Sequence, residues 1–591
     1  MIKKRITLLS ISILIIFTGL IFRLAQIQLI DTMHFSSRNI NLIEQSIKQR
    51  SQEVVIDNGR GKFLDKNYIP LTHETYASLI LFPFIKTMDW DSNKVAEIIG
   101  VEPYSLHQAL NDAQGPVIFG APKPLRLTDE QVKQINQLQI PGVFAVKKQF
   151  PRSDTVAEQL IGFVGENYSL LKERYPDKKL SSDTLIGISG LQKSFDEFLL
   201  QEEATKLIYH VDGKGGPLFG IDVKYVDPAN PYYPLNIITT IDYQIQKMLE
   251  NIVDQHNIIK GGLVLLDIER NAILALVSRP KLDKTDPYKN DGAKNYMFSA
   301  EIPGSIFKTV VAAASIDHQL NNPSRTFNCS QKINGEKDEI FDHGILNFTD
   351  SFAASCNFTF GQLAKELAQK DATILTSYAE KLGLTSQVGW QGEVFHFDNF
   401  KQFANEEVGR VFLNNEEQKD LNYAANSGIG QHNVRITPIA AANMMATIAR
   451  GGDRQLVRSV SSIQYKNGTT MFQFPQVHQK NSISPYTAMK LQQLLREVIV
   501  NEKGTGIGLK DLPYAVAGKS GTAQTNQKMD GEELLNKWFI GYFPFEKPKY
   551  ALAVVNLDVT WNSGSVTPVF RDVVNTLYEI DYKDKHSNQL Q

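Results

Sequence analysis

A serine and a lysine one helical turn apart are the first residues whose types and spacing suggest chemistry. Ser305 and Lys308 lie in the segment PGSIFK, which leads into the apolar run TVVAAASI. Residues at positions i and i+3 share a face of a helix. A serine hydroxyl becomes a good nucleophile when a base removes its proton, and a lysine acts as that base when burial lowers its pKa. The spacing alone is weak, because an N-cap serine followed by a solvated lysine gives the same pattern.

A second polar pair, Ser355 and Asn357, lies in the mostly apolar segment DSFAASCNFTFGQLA. The Ser355 hydroxyl would relay a proton between Lys308 and a leaving amine, and the Asn357 amide would hold both a substrate carbonyl and Lys308. The alternative is an ordinary helix cap, in which Ser355 caps a helix that begins near Phe358.

A third group, Lys519-Ser520-Gly521-Thr522, lies in YAVAGKSGTAQT, where alternating small and β-type residues predict a strand. Lys519, Ser520 and Thr522 offer one cation and two hydroxyls, which suffice to hold a carboxylate. Gly521 would let a substrate backbone approach closely. The alternative is an edge strand with solvated polar residues.

The order of the three groups is more informative than any one of them. S-x-x-K, then S-x-N, then K-[ST]-G is the signature of serine acyl-transferases that react with penicillin. The sequence therefore predicts acyl transfer with Ser305 as the nucleophile and Lys308 as its base. The backbone N–H of Ser305, at a helix start, would face the developing negative charge.

The N-terminus predicts a retained membrane anchor. Three basic residues within Met1–Arg5 precede 17 uncharged residues from Ile6 to Phe22, and no small-residue cleavage site follows. The basic end should stay in the cytoplasm, which leaves most of the chain outside the cell. Residues 1–30 are therefore interpreted as a short cytoplasmic tail and a single transmembrane helix.

The rest of the chain divides at a proline-rich linker, Pro228–Leu235. Residues 31–235 mix polar helical stretches with short apolar runs, and VDGKGGPLFG at 211–220 predicts a tight turn or hairpin. In residues 236–585, strands at both ends enclose helices near 305–317, 359–369 and 437–450, with a last helix near 566–578. This order predicts an α+β domain with an antiparallel sheet.

Composition excludes several classes of function. The formal net charge of -2 disfavours nucleic acid as a partner. The 11 histidines show no metal-ligand spacing, so we expect no metal and no cofactor. The two cysteines, Cys329 and Cys356, are too few for a disulfide framework. The sequence does not decide whether they form a single disulfide, and two free thiols are the favoured interpretation.

The chain resembles class B penicillin-binding proteins over residues from about 20 to 575. The resemblance is carried by GGLVLLDIERNAILALVSRPKLD, EIPGSIFKTVVAAASID, FDHGILNFTDSFAASCNFTF, NSGIGQHNVRITPIAAANMMATIARGG and KWFIGYFPFEKPKYALAVVNLD, and in the first half by FRLAQIQLI, RGKFLDKNYIPLT and GISGLQKSFDEFL. It implies a transpeptidase domain on a non-catalytic pedestal of the dimerisation type, here residues 31–235.

The resemblance also implies a reaction and a set of roles. Ser305 would attack the penultimate carbonyl of a stem peptide ending in D-Ala-D-Ala and release D-alanine, and a neighbouring stem's amine would take the acyl group. Lys519, Ser520 and Thr522 would bind the substrate carboxylate. The N–H groups of Ser305 and Thr522 would form the oxyanion hole. β-Lactams would acylate Ser305, D-Ala-D-Ala carboxypeptidase activity is an expected side reaction, and a glycosyltransferase or other cell-wall machinery is a candidate partner.

Four alternatives compete with this interpretation. A β-lactamase needs a base for deacylation, and the loosely similar segment 415–422 has Gln418 where that base would be. A non-enzymatic β-lactam receptor is disfavoured because it normally needs a cytoplasmic output domain. A scaffold with an inactive site is disfavoured because it would not need the intact Ser305–Lys308 pair. A bifunctional glycosyltransferase is disfavoured because residues 31–235 lack an E-D-x-x-F motif.

Overall fold

The computed structural model describes residues 2–589 except 34, 37–39, 44, 46–50, 112, 179, 181, 201–203, 211–223, 227–229 and 341. The turn predicted at 211–220 and part of the predicted linker lie outside the described residues. The chain forms two compact units that interleave in sequence. The first contains Met1–Arg60, His73–Pro151 and Gln201–Pro231, and the second contains Gly61–Thr72, Arg152–Leu200 and Tyr232–Gln591. The boundary between the pedestal, residues 31–235, and the transpeptidase domain, residues 236–585, stays a prediction.

The first unit begins with the apolar helix Ile2–Ala25, which continues through the π-helical turn Gln26–Ile30. Over Lys4–Ile30 the mean hydropathy reaches 2.3 in a stretch of 27 residues that is not buried in the protein, so this helix is long and apolar enough to cross a membrane.

The other described residues of this unit form two three-stranded sheets and short helices. The strands are Ser51–Asp57, His73–Leu81, Val117–Ile118, Val143–Pro151, Thr205–His210 and Lys224–Val226; the helices are Ser92–Ile99, Pro103–Asn111 and Asp129–Gln137, with a 3-10 turn at Pro83–Thr87.

The second unit is built around a five-stranded antiparallel sheet. Its strands run in the order Ala272–Arg279, Gly261–Asp267, Tyr550–Val559, Glu532–Phe543 and Ala517–Met529. Successive residues of the first three strands are buried, and because neighbouring side chains point to opposite faces, both faces must be covered. The helix Pro438–Ala449 contacts the sheet, as do Tyr243–Gln255 and the C-terminal helix Thr567–Gln589.

The remaining elements of the second unit surround that sheet. Further strands are Lys62–Leu64, Val164–Glu166, Leu185–Gly187, Asn236–Thr239, Thr326–Asn328, Ile345–Asn347, Gln391–Val394, Phe397–Lys401, Arg454–Gln455, Val460–Gln464, Thr470–Gln473 and His478–Gln479. Further helices are Glu158–Ile161, Tyr168–Arg174, Gly190–Ser194, Asp196–Leu199, Lys308–Asp317, Phe348–Ala353, Asn357–Lys370, Ile374–Lys381, Asn415–Lys419, Leu421–Gly428 and Pro485–Val500, with 3-10 turns at Lys289–Asp291, Tyr296–Phe298, Gly304–Phe307 and Ile507–Leu509.

The predicted α+β class and antiparallel sheet are confirmed. Residues 61–72 join the second unit because Lys62–Leu64 pairs in parallel with Asn236–Thr239. The helix predicted from 305 begins at Lys308, and a 3-10 turn, Gly304–Phe307, precedes it. The last helix is longer than predicted because its polar second half continues to Gln589 without a glycine or proline to end it.

Candidate active site

Ser305 lies in a tight 3-10 turn held against the edge strand of the five-stranded sheet. Gly304 has a φ of 56°, and a Cβ atom there would lie 2.2 Å from the Thr522 carbonyl oxygen. Only glycine tolerates both this left-handed backbone and the close approach. The indole N–H of Trp538 donates to the Ile302 carbonyl at 2.9 Å and fixes the chain just before the turn.

Gly521 lies on the edge strand and packs against the same turn. A Cβ atom on Gly521 would lie 2.6 Å from the Pro303 carbonyl oxygen, and the residue is buried. The space that this glycine leaves is therefore occupied by the protein's own backbone, whereas the sequence suggested a substrate backbone at this point.

Lys308 is enclosed by the surrounding protein. Its side chain is fully buried, and its Nζ lies 2.5 Å from the Ser355 carbonyl oxygen, 2.7 Å from Asn357 Oδ1 and 3.1 Å from Ser355 Oγ. Burial, together with the nearby charge of Lys519, lowers the pKa of Lys308 well below the ordinary value for lysine. Burial and the charge of Lys519 therefore shift this amine towards its neutral form, while its Nζ has three oxygen atoms within hydrogen-bonding distance.

Ser355 lies between two buried lysines. Its Oγ accepts a hydrogen bond from Lys519 Nζ at 2.9 Å and lies 3.1 Å from Lys308 Nζ. Burial lowers the pKa of Lys519 to about 7. Ser355 has a φ of 60°, so the chain turns sharply at this residue. The helix Asn357–Lys370 is capped by Cys356 instead, whose sulfur accepts from the Thr359 N–H. Ser355 is therefore not the helix cap that the alternative interpretation required.

The two cysteines form a disulfide, which corrects the expectation of two free thiols. Cys329 and Cys356 are 27 residues apart in sequence, but the fold brings their Cα atoms to 5.8 Å, within the range that a disulfide spans. The positions of the two cysteines in the sequence could not reveal that the fold brings them together. The bond ties the Ser355–Asn357 segment to the strand Thr326–Asn328 and its following loop.

The strand Ala517–Met529 supplies the opposite wall. Lys519 is buried and reaches Ser355, whereas Thr522 is exposed and Ser520 is half-buried. Residues two apart on a strand share a face, so Ser520 and Thr522 point the same way. Ser520 Oγ donates to Thr505 Oγ1 at 2.7 Å.

A cleft of about 940 Å³ lies between Ser305, the Ser355–Asn357 segment and the strand that carries Ser520 and Thr522. Its walls include five residues predicted from the sequence and several that were not. The lining residues used below are Ser305, Ser355, Asn357, Thr505, Ser520 and Thr522, with Asp338, Glu532, Glu533 and Trp561 further along the walls.

Comparison with known families identifies the domain that contains this site. Residues 261–575, more than half of the chain, match the model of the penicillin-binding protein transpeptidase domain. The chain belongs to the penicillin-binding protein transpeptidase family. Residues 55–227 of this penicillin-binding protein match the model of the penicillin-binding protein dimerisation domain.

Several curated relatives are similar to this penicillin-binding protein. Stage V sporulation protein D of Bacillus subtilis is 26% identical over 62% of this chain and 56% of its own length. Peptidoglycan D,D-transpeptidase PbpA of Mycobacterium tuberculosis is 26% identical over 54% of this chain and 67% of its own length. Peptidoglycan D,D-transpeptidase FtsI homolog of Mesostigma viride is 25% identical over 67% of this chain and 69% of its own length. The first of these is thus matched over little more than half its length.

A solved structure from work on "Structural coordination of polymerization and crosslinking by a peptidoglycan synthase complex" has the same fold. It matches with a TM-score of 0.64 over 96% of this chain and 97% of that chain, at 20% identity.

The structure brings together all the residues singled out in the sequence of this penicillin-binding protein. Sequence reasoning missed Thr505 and the disulfide. The only signal for Thr505 was its position between two glycines, Gly504 and Gly506, directly after a helix.

Proposed function

We propose that this chain is a membrane-anchored peptidoglycan D,D-transpeptidase that works through an acyl-enzyme on Ser305. The observation that carries the proposal is the buried Lys308 amine, which is hydrogen-bonded to Ser355 and Asn357 one turn after Ser305. Ser305, Ser355 and Asn357 themselves line the open cleft. A buried lysine with a lowered pKa is the kind of base that a serine nucleophile requires.

The hydrogen bonds of Lys308 support a general-base role. The Ser355 carbonyl and the Asn357 amide oxygen can only accept, so they engage two N–H bonds of the amine. A neutral amine has two such bonds and one lone pair. The lone pair is therefore left for a proton donor, and during attack that donor is the Ser305 hydroxyl.

Ser355 supports the return of the proton to the leaving group. Because Lys519 donates to its Oγ, the Ser355 hydroxyl can point its own proton away from Lys519. After attack, the proton taken by Lys308 passes through Ser355 to the amine of the departing D-alanine. The C–N bond breaks, and the acyl group remains on Ser305 Oγ as an ester.

The same cleft accommodates the remaining requirements of acyl transfer. The backbones of Gly304 and Thr522 are in close contact, which supports the Ser305 and Thr522 N–H groups as a joint oxyanion hole. Lys519, Ser520 and Thr522 would form the side of the cleft that recognises the terminal carboxylate, by charge or by hydrogen bond. An amine from a second stem peptide then attacks the ester; attack by water would give the carboxypeptidase side reaction.

The proposal extends to the surroundings of the enzyme. The basic N-terminus would remain in the cytoplasm, and the rest of the chain would act outside the membrane. Residues 31–235 would serve as a pedestal, and a glycosyltransferase or another part of the cell-wall machinery would supply the glycan strands. Stem peptides ending in D-Ala-D-Ala and β-lactams are the expected ligands.

Locating the acyl-enzyme tests the proposal directly. The full-length chain in detergent is incubated with labelled penicillin, digested and mapped by mass spectrometry. We expect a stable ester on Ser305 that is absent from Ser305→Ala and retained in Ser351→Ala, a matched change on a nearby helix. An adduct elsewhere, or none, would contradict the proposal, and rapid hydrolysis of the adduct would favour a β-lactamase.

Transfer is tested with a pentapeptide ending in D-Ala-D-Ala and a D-amino acid acceptor. The expected products are free D-alanine and the exchanged peptide, both lost in Ser305→Ala. Release of D-alanine without any exchanged peptide would restrict the activity to hydrolysis.

A further inference from the structure

Thr505 lies in a loop whose backbone is held tightly on both sides. A Cβ atom on Gly504 would lie 2.3 Å from the Val498 carbonyl oxygen, and one on Gly506 would lie 2.6 Å from Ile499 Cδ1. The Thr505 N–H donates to the Ala353 carbonyl at 3.1 Å. The glycines let the loop fold onto the end of the helix Pro485–Val500, and Thr505 is the one residue between them with a side chain.

That side chain faces the cleft that contains Ser305. Thr505 is exposed, lines the cleft and accepts a hydrogen bond from Ser520 Oγ at 2.7 Å. A hydroxyl has one proton to donate. When Ser520 gives its proton to Thr505, the proton of Thr505 is the one that points outward from the pair.

Lys519 is also engaged within the protein. Its Nζ donates to Ser355 Oγ at 2.9 Å and to the Ser520 carbonyl at 3.2 Å. The charge of Lys519 therefore contributes a positive potential from the buried face of the strand. Direct hydrogen bonds to a ligand have to come from hydroxyls on the face that lines the cleft. The exposed hydroxyls on that side belong to Thr522 and Thr505.

We propose that Thr505 is a carboxylate-binding residue, and that the terminal carboxylate of the donor stem peptide, or of a β-lactam, accepts a hydrogen bond from its hydroxyl. This inference rests on the proposed function, since it specifies how the same cleft recognises its substrate. Ser520 then acts through Thr505: it donates to Thr505 and polarises the outward O–H bond. A carboxylate is an acceptor-only group, so it matches two outward hydroxyls backed by a cation.

The inference predicts selectivity for the charge of the ligand. A penicillin with a free carboxylate and its methyl ester react at the same lactam carbonyl, but only the acid presents an anion to Thr505. Thr505→Val removes the hydroxyl and keeps the shape, and Thr505→Ser restores the hydroxyl. Thr470→Val makes the same change at an exposed threonine on a strand that does not line the cleft.

The experiment measures second-order acylation constants of the full-length chain and each variant with both penicillins. A lost hydrogen bond to a charged group corresponds, at the lower end of its range, to about a tenfold decrease in rate. We expect Thr505→Val to lower the preference for the acid over the ester by about tenfold, with the ester rate within about twofold of the wild type. Thr505→Ser and Thr470→Val should keep the wild-type preference. The double variant Ser520→Ala/Thr505→Val should lose no more of the acid preference than the more affected of the two single variants. The reason is that the two hydroxyls act as one hydrogen-bonded chain.

Other outcomes would overturn the inference. An unchanged preference in Thr505→Val would show that its hydroxyl does not bind the carboxylate. Equal losses for acid and ester would show that Thr505 only shapes the loop. Strictly additive losses of the acid preference in the double variant would show that Ser520 does not act through Thr505. Absence of any acylation in the wild type is distinguishable from these results, because it would refute the proposed function as well.

Discussion

Replacing Ser355 by alanine removes the atom that joins the two buried lysines. In the structure Ser355 Oγ lies 2.9 Å from Lys519 Nζ and 3.1 Å from Lys308 Nζ. Alanine keeps the small volume but leaves no hydroxyl to carry a proton from Lys308 to the leaving group. We therefore expect acylation to slow while the fold is retained.

The size of the effect follows from the contacts that are lost. A hydrogen bond to a charged group contributes about 1.5–3 kcal/mol, or roughly 10- to 150-fold in rate. Positioned proton transfer contributes about 100- to 10,000-fold. The two ranges overlap near 100-fold, which is the decrease that we expect for Ser355→Ala.

The assay is the second-order rate of acylation by a fluorescent penicillin, followed from pH 5 to pH 9. Lys308 must be neutral to act as a base, so the wild-type rate should fall as the pH is lowered through its pKa. Burial and the charge of Lys519 lower that pKa, and the fall should therefore lie well below the pH range where an ordinary lysine titrates.

Ser351→Ala is the matched control for this experiment. Ser351 lies on the same segment and is buried, but its Oγ accepts from Thr359 at 3.0 Å and contacts neither lysine. Near-normal acylation of Ser355→Ala would refute the relay. A comparable loss in both variants would point to a damaged segment instead of lost proton transfer.

Three further changes test other parts of the site. Lys308→Arg keeps the positive charge but cannot deprotonate, so acylation should fall by about 100-fold or more in the same assay, and normal acylation would identify another base. Replacing Cys329 and Cys356 by serine opens a 27-residue loop and should lower the free energy of unfolding by about 3 kcal/mol, measured by denaturant titration; an equally stable variant would show that the bond constrains little. Gly304→Ala should lower acylation at least tenfold, because its Cβ would lie 2.2 Å from a carbonyl oxygen, whereas Gly335→Ala, with a similar backbone and open space, should not; equal effects would implicate backbone strain alone.

The sequence alone predicted the chemistry and determined the class of the fold. Ser305, Lys308 and Lys519 were identified because motif order constrains residue types strongly, even when each motif is weak. The hairpin Gly261–Arg279 and the strands after Glu532 were predicted because apolar runs bounded by turns are local signals.

The tertiary structure decided everything that depends on which distant segments meet. The pairing of Cys329 with Cys356 and the inclusion of residues 61–72 in the second unit follow from long-range contacts, which no local pattern encodes. The same is true of Ser355, which contacts Lys308, 47 residues away in sequence, and Lys519, 164 residues away. Burial of both lysines lowers their pKa values, and burial is a property of the packed fold, not of the residues themselves.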